Sequence, residues 1–321
     1  METILVPLDG SERSEHALPF ARFLASLLPA ELLLLHVVTE DERHSFVTRR
    51  EQLREIYLPY RAIEANTTLS MRHHAEAYLE SWLPALRAQG LAAQTVVRFG
   101  APTEAIIETA EQTDADMIVM ATHGRGNVGR WLIGSVAHNV LRQAVVPVMA
   151  VRGPITHWPS LRRIMVPLDG SSHARTALPL AIDLARRTHA TLLLLMVLPT
   201  RTGLDIHATL SSGEAECRQL REQMFHELSQ LTVECPDVQI TSTLGEGFIG
   251  ETIGREAEHH EADLIVMTSH GGSGPHRFRL GSVTDKVLRC SPVPILVIPE
   301  PSAEGEPLVE GAAHDRTSLA S

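Results

Sequence analysis

Five short apolar segments punctuate the first half of the chain: Ile4–Leu8, Leu32–Val38, Thr95–Arg98, Met117–Ala121 and Val145–Val151. They lack the apolar–polar alternation of a strand with one wet face. Continuous apolar runs of this length are expected of parallel strands covered on both faces. Helix-length stretches separate them. Ser11 is a candidate N-cap for the first helix, and Pro19 must kink that helix or delay its start. The stretch from Arg43 to Gln89 is long, and Pro59 interrupts it, which fits two helices. Gly100-Ala101-Pro102 opens a further helix with proline near its first turn. Strand–helix alternation with five strands predicts a doubly wound domain.

The same pattern then occurs again. ILVPLDGS at 4–11 matches IMVPLDGS at 164–171, and LLLLHVV at 32–38 matches LLLLMVL at 192–198. ADMIVMATHG at 115–124 matches ADLIVMTSHG at 262–271, and IGSVAHNVLRQAVVPVMAV at 133–151 matches LGSVTDKVLRCSPVPILVI at 280–298. The copies are offset by 160 residues at Asp9/Asp169 and by 147 at Gly134/Gly281, so the second is 13 residues shorter in its middle. A period this long is a whole domain, not a solenoid unit. The expected fold class is α/β: two tandem, Rossmann-like doubly wound domains, each a five-stranded parallel sheet with helices on both faces. The expected boundaries are 1–151 for the first domain, 152–161 for a linker, 162–299 for the second domain and 300–321 for a flexible tail without periodicity.

Length and composition agree with this reading. The 321 residues suit roughly two domains, and 44% apolar content suffices for ordinary cores. Runs such as Leu32–Leu35 are far short of the roughly 20 apolar residues a membrane span needs. The opening METILVPLDG has no basic region and carries Asp9, so no secretory signal is expected. Cys217, Cys235 and Cys290 are far apart with no CxxC pair, which excludes a disulfide scaffold and a zinc ribbon and suggests a reducing cytoplasm. A net charge of −11 argues against a nucleic-acid polymer or an anionic membrane as partner. Lys286 is the only lysine, no GxxxxGK[ST] exists, and P-loop chemistry is excluded. Lys286 itself reads as an exposed surface residue of a helix.

In doubly wound sheets, ligands bind outside the strand carboxyl ends, where the strand order reverses. Two repeated segments fall at such ends: Pro7-Leu8-Asp9-Gly10-Ser11 after the first strand, and Ala121-Thr122-His123-Gly124 after the fourth. If the reversal lies between these strands, both face one crevice, as Asp169 and Gly271 do in the second copy. A glycine-rich stretch, Gly124-Arg125-Gly126-Asn127-Val128-Gly129, leads to Gly134-Ser135 and an apolar helix pattern. The second copy has Gly271-Gly272-Ser273-Gly274, then Gly281-Ser282. Glycines let backbone amides approach an anion, and a Gly-Ser step at a helix start presents free N–H groups. Glycine-rich turns also serve purely structural strand–helix connections.

Charge placement adds to the anion reading. Met117–Leu168 and Leu264–Thr284 contain no Asp or Glu, but carry Arg125, Arg130, Arg142, Arg152, Arg277 and Arg279. Asp9 and Asp169 are the carboxylates aimed at the crevices. They suit a metal against phosphate oxygens, a ribose hydroxyl, or simply their own turn. Of the histidines, His123 and His270 lie where ligand is expected. His73-His74 and His259-His260 are adjacent pairs without metal-ligand spacing, and the second pair is placed at a helix end. GxSxG is absent, and no Ser-His-Asp or Cys-His arrangement stands out.

These residues resemble the universal stress protein family in its tandem two-domain form, over both halves. ATP-binding members carry Gly-x2-Gly-x9-Gly-Ser/Thr after the fourth strand. This chain has Ala121-x2-Gly124-x9-Gly134-Ser135 and Thr268-x2-Gly271-x9-Gly281-Ser282, so the first glycine is replaced in both copies. The family's first-strand aspartate matches Asp9 and Asp169, and its adenine-contacting valine after the second strand matches Val37 and Val197. The resemblance implies a nucleotide site from Pro7, Leu8, Asp9, Val37, Met120, Ala121, His123, Gly124, Arg125, Gly134, Ser135 and Val136. Gly124, Gly134 and Ser135 would cradle phosphates, and Met120 and Ala121 would lie near the ribose. A second site would use Pro167, Leu168, Asp169, Val197, Met267, His270, Gly271, Gly281, Ser282 and Val283. It also implies that the domains pack as a pseudo-twofold pair through their last strands.

The leading expectation is a cytoplasmic stress-response module that binds ATP with Mg²⁺, Asp9 being the candidate metal ligand. It would change shape or partners on binding, with protein partners unknown and a homodimer of tandem chains open. Hydrolysis should be slow at most, because no positioned general base is evident. The alternatives are an interaction module of the same fold without nucleotide, and an enzyme that hydrolyses nucleotides or transfers adenylate.

Overall fold

The computed structural model describes residues 1–40, 60–122, 133–153, 160–199, 206–270 and 280–300. The first repeat runs β1 (Thr3–Pro7), α1 (Glu12–Glu15), α2 (Ala17–Leu27), β2 (Glu31–Val38), α3 (Tyr60–Glu80), α4 (Leu83–Arg87), β3 (Ala93–Phe99), α5 (Pro102–Gln112), β4 (Met117–Ala121), α6 (Ser135–Gln143) and β5 (Val148–Val151). The second runs β6 (Arg163–Pro167), α7 (Ser172–Arg175), α8 (Leu178–Thr188), β7 (Thr191–Pro199), α9 (Ile206–Glu234), β8 (Ile240–Gly247), α10 (Ile249–His259), β9 (Leu264–Thr268), α11 (Ser282–Cys290) and β10 (Ile295–Ile298).

The strand order is β3-β2-β1-β4-β5-β10-β9-β6-β7-β8 in one ten-stranded sheet. Every pairing is parallel except β5 with β10, which run antiparallel with Met149 opposite Leu296. Each half therefore has the order 3-2-1-4-5, and the two halves meet as a pseudo-twofold pair through their last strands. Helices cover both faces. Leu32 through Val38 are buried in an unbroken run, as a strand sandwiched between helix layers requires. On one face Leu18 and Leu24 of α2 and Leu178 and Leu184 of α8 share a core that crosses the junction beneath Met149 and Leu296. On the other, Val140 and Leu141 of α6 and Val287 and Leu288 of α11 do the same. Ala137, Val140 and Leu141 recur at three- and four-residue spacing, the stripe a sheet-facing helix needs.

Local chemistry explains where the elements break. The Ser11 hydroxyl caps α1 by accepting from the Ser14 amide at 3.2 Å. That helix lasts one turn, and α2 restarts at Ala17 with Pro19 in its first turn, where an amide has no intrahelical acceptor. The expected delay at Pro19 is thus a break at His16. Gly10 and Gly170 take positive φ, 77° and 81°, in the turns after Asp9 and Asp169. The expected last strand of the first repeat is shorter than its apolar run. Val145 is 56% exposed, and the strand begins after Pro147, which supplies its carbonyl to the Ile118 amide but has no N–H for the ladder.

A pair of aspartates ties the first strand of each repeat to its fourth. Asp116 Oδ2 accepts from the amides of Glu2 (2.5 Å) and Thr3 (3.0 Å). Asp263 Oδ2 accepts from Arg162 (2.7 Å) and Arg163 (2.9 Å) in the same way. Burial works against ionisation of Asp116, but the Thr3 and Glu2 amides outweigh it and hold the carboxyl below its ordinary range.

Candidate functional site

The strand order reverses between β1 and β4 and between β6 and β9, which is where the sequence places both candidate segments. In the second repeat a cleft of about 300 Å³ opens there. Pro167, Leu168 and Asp169 enter it from the end of β6, Val197 from β7, and Met267 from β9. His270 follows β9, and Gly281, Ser282 and Val283 open α11 on its far side. Nine residues expected from the resemblance, His270 among them, are thereby brought to one cavity. Gly271, the remaining one, lies outside the described residues.

The first repeat shows the same backbone pattern. Leu8 donates its amide to the Leu35 carbonyl and Leu168 to that of Leu195, both at 2.8 Å. The Gly134 amide donates to the Thr122 carbonyl and the Gly281 amide to that of Ser269, again at 2.8 Å. Pro7, Leu8 and Asp9 thus stand at the end of β1, Met120 and Ala121 at the end of β4, and Gly134, Ser135 and Val136 at the start of α6. Val37 and Val197 lie inside the ends of β2 and β7, not beyond them. His123, Gly124 and Arg125 fall outside the described residues, as do Arg130, Arg277 and Arg279.

Gly281 sits in a tight space. A Cβ there would stand 3.0 Å from the Ser269 carbonyl oxygen and 3.3 Å from His270 Cα. The Gly281 amide bond to the Ser269 carbonyl holds the start of α11 this close to the end of β9. As an N-cap, glycine brings no side-chain oxygen to the first-turn amides. Gly134 does likewise for α6. By contrast α1 and α7 are capped by the hydroxyls of Ser11 and Ser171. Amides left without a side-chain cap at the positive end of a helix suit an anion.

Asp9 and Asp169 both hold their own turns. Asp9 Oδ1 accepts from the Ser11 amide at 2.9 Å and from its hydroxyl at 2.5 Å. Asp169 Oδ1 accepts from the Ser171 amide at 2.9 Å. The turn role weighed for these residues is therefore real, and Asp169 lines the cleft as well. Among the described residues no group of three His, Cys, Asp or Glu side chains could hold a metal ion. His73-His74 sit within α3, and His259 ends α10, as expected of the paired histidines.

The sequence reading did not assign Ala174, Leu195, Ile249, Ile253 or Thr284 to the cleft, yet all line it. Leu195 has a legible signal, two positions before Val197 on the same strand face. Ile249 and Ile253 belong to α10, whose packing over the crevice only the tertiary fold reveals. Thr268, which replaces the family glycine, also lines the cleft. Its hydroxyl donates to the His270 carbonyl at 2.5 Å, and the Thr284 hydroxyl donates to the Thr268 carbonyl at 2.9 Å. Near the first site, the Tyr78 hydroxyl donates to Glu15 Oε1 at 3.0 Å. Burial, then Glu15, pushes the Tyr78 phenol far above its usual range. The second repeat links α7 to α9 by an Arg175–Glu227 ion pair.

Fold and crevice define a tandem doubly wound α/β protein with uncapped helix starts facing the strand ends. A match to the universal stress protein family covers residues 1–152 and 160–299, and the chain belongs to that family. Over 299 residues it is 27% identical to a universal stress protein of Mycolicibacterium smegmatis, covering 92% of this chain and 96% of that one. It is 28% identical over 151 residues to a universal stress protein of Methanocaldococcus jannaschii, covering 46% of this chain and 93% of the relative. The crystal structure of a universal stress protein from Archaeoglobus fulgidus superposes with a TM-score of 0.65 at 23% identity, covering 92% of this chain and 97% of that one. That likeness concerns the fold. Among the described residues no helix is long and apolar enough to cross a membrane.

Proposed function

We propose that each repeat binds an adenine nucleotide, ATP being the leading ligand, and that the chain acts as a stress-response regulatory module. The observation that carries this is the second-repeat cleft, where Asp169, Val197, Met267 and the Gly281-Ser282 step converge. Val197 and Met267 offer apolar surface to a base. The uncapped amides at the start of α11 offer donors to phosphate oxygens. Each crevice brings one first-strand carboxylate, already engaged in its turn. A Mg²⁺ ion would arrive with the phosphates and keep most of its water, as this ion does when few carboxylates hold it. Asp169, the carboxylate lining the described cleft, is engaged in its own turn, which supports slow hydrolysis at most, with occupancy itself as the signal.

Mass spectrometry of ligand released from gently purified protein, followed by equilibrium dialysis with ATP, tests the reading. Retained or reversibly bound adenine nucleotide, weakened in Asp9→Ala/Asp169→Ala, supports it. Folded protein that takes up no nucleotide overturns it. One observation favours the interaction-module reading for the second repeat alone: Thr268 adds a side chain to the cleft wall where the family motif has glycine. Dialysis stoichiometry distinguishes these, one nucleotide per chain meaning a single competent repeat and two meaning both.

A further inference from the structure

Beside the crevice of the second repeat lies a hollow of about 410 Å³. It opens between the start of α10 and the first turns of α11. It shares Ile249, Ser282 and Val283 with the crevice, so the two adjoin at the start of α11. Its outer wall is Phe248, Glu251 and Lys286. Phe248 is 63% exposed, an aromatic ring presented to solvent at the mouth of a cavity. The Lys286 stem lies against Gly250, where a Cβ would come within 2.6 Å of Lys286 Cγ. Its ammonium sits 2.8 Å from Glu251 Oε1. Stem packing and ion pair together fix a donor and an acceptor side by side.

The first repeat carries Ala101, Pro102, Thr103 and Asn139 where the second has Phe248, Ile249, Gly250 and Lys286. The other four lining residues are common to both repeats: Gly247, Glu251, Ser282 and Val283 match Gly100, Glu104, Ser135 and Val136. Four departures thus gather on one wall, and an exposed aromatic contributes nothing to the core. A bare phosphate would meet the Glu251 carboxylate beside the ammonium and would make no use of Phe248. A nucleobase uses all three. Its face stacks on the ring, while its edge pairs an amino group with Glu251 and a ring nitrogen with Lys286.

We propose that the second repeat takes a dinucleoside polyphosphate, with one nucleoside in the crevice, the phosphate chain across the start of α11, and the second base against Phe248. This rests on the nucleotide reading of the crevice and assigns the hollow beyond it. The test is titration calorimetry of the full chain with ATP and with diadenosine tetraphosphate, read as the ratio of their affinities. The same ratio is measured in Phe248→Ala and Lys286→Gln, both of which alter exposed side chains; thermal melting checks their folding. Base–aromatic stacking favours the dinucleotide by about ten-fold at one site per chain, and either variant brings the ratio towards one. Equal affinities in the wild-type chain, or a preference that survives Phe248→Ala, overturn the proposal and leave the crevice reading standing. Binding of neither compound overturns both.

Discussion

A carboxylate placed at the start of α6 and α11 separates a ligand site from a structural turn. Ser135 and Ser282 are the first residues of these helices and are exposed. Replacing both by aspartate puts negative charge at the positive helix end, which stabilises a fold by about 0.3–1 kcal/mol per helix. The same charge opposes a phosphate at those amides. At a separation of about 5 Å the repulsion is about 3.3 kcal/mol for an effective dielectric near 20, and about 0.8 kcal/mol in bulk water. Affinity for ATP should therefore fall between about four-fold and about 250-fold. Stability and binding move in opposite directions, which general damage to the protein cannot produce. Calorimetric titration with ATP and thermal melting of the same samples supply both numbers, and Ser135→Ala/Ser282→Ala controls for the lost hydroxyls. The loss should shrink as salt screens the added charge. A Ser135→Asp/Ser282→Asp double variant that melts higher yet binds ATP as tightly as the parent would refute the placement of phosphate at these helix starts.

Other outcomes follow from the packing. Asp116→Ala removes the acceptor for the Glu2 and Thr3 amides and should cost about 1 kcal/mol after solvent screening, read from the urea midpoint. Because the folded carboxyl is held below its ordinary range, this stability is present at neutral pH and is lost as pH falls through the lowered value; the variant should show a flatter acid limb. Tyr78→Phe deletes the bond to Glu15 and should cost about 0.5–1.5 kcal/mol by the same assay. Leu296→Ala empties a fully buried position in the junction strand and should cost about 2–5 kcal/mol in chemical denaturation.

Much of this architecture is legible in the residues, for a definite reason. Buried parallel strands need continuous apolar runs, so Leu32–Val38 and Met117–Ala121 announce themselves, and their recurrence announces the duplication. The switch-point rule then points Asp169 and Gly271 at one crevice; Asp169 lines it, and Gly271 lies outside the described residues. What stays hidden depends on geometry that periodicity does not carry. Pro147 shortens the last strand because of a missing amide, not a missing apolar side chain. Lys286 reads as an ordinary surface lysine, which its exposure supports. Its place in a cavity wall follows only when α10 packs beside α11 and Gly250 admits its stem. Ile249 and Ile253 join the cleft for the same reason.

The junction shows what covalent duplication permits. Positions 138 and 285 correspond under the repeat, and the structure brings them together: His138 Nε2 lies 3.3 Å from Asp285 Oδ1. Asp285 also accepts two bonds from Arg289, at 2.9 and 3.0 Å, and the Arg289 carbonyl accepts from Arg152 at 2.6 Å. On the opposite face of the sheet, Arg187 donates to the carbonyl of Leu27, its own counterpart, at 3.1 Å. In a symmetric dimer of single domains the residues meeting at the twofold axis are identical, so two histidines or two aspartates would face each other there. Tandem fusion lifts that restriction and lets the halves become complementary. The His138–Asp285 contact joins the first turns of α6 and α11, the two helices whose starts open on the proposed nucleotide sites. Divergence at the junction and divergence at the hollow beside α11 are thus two consequences of one freedom: each repeat can be altered without altering its partner.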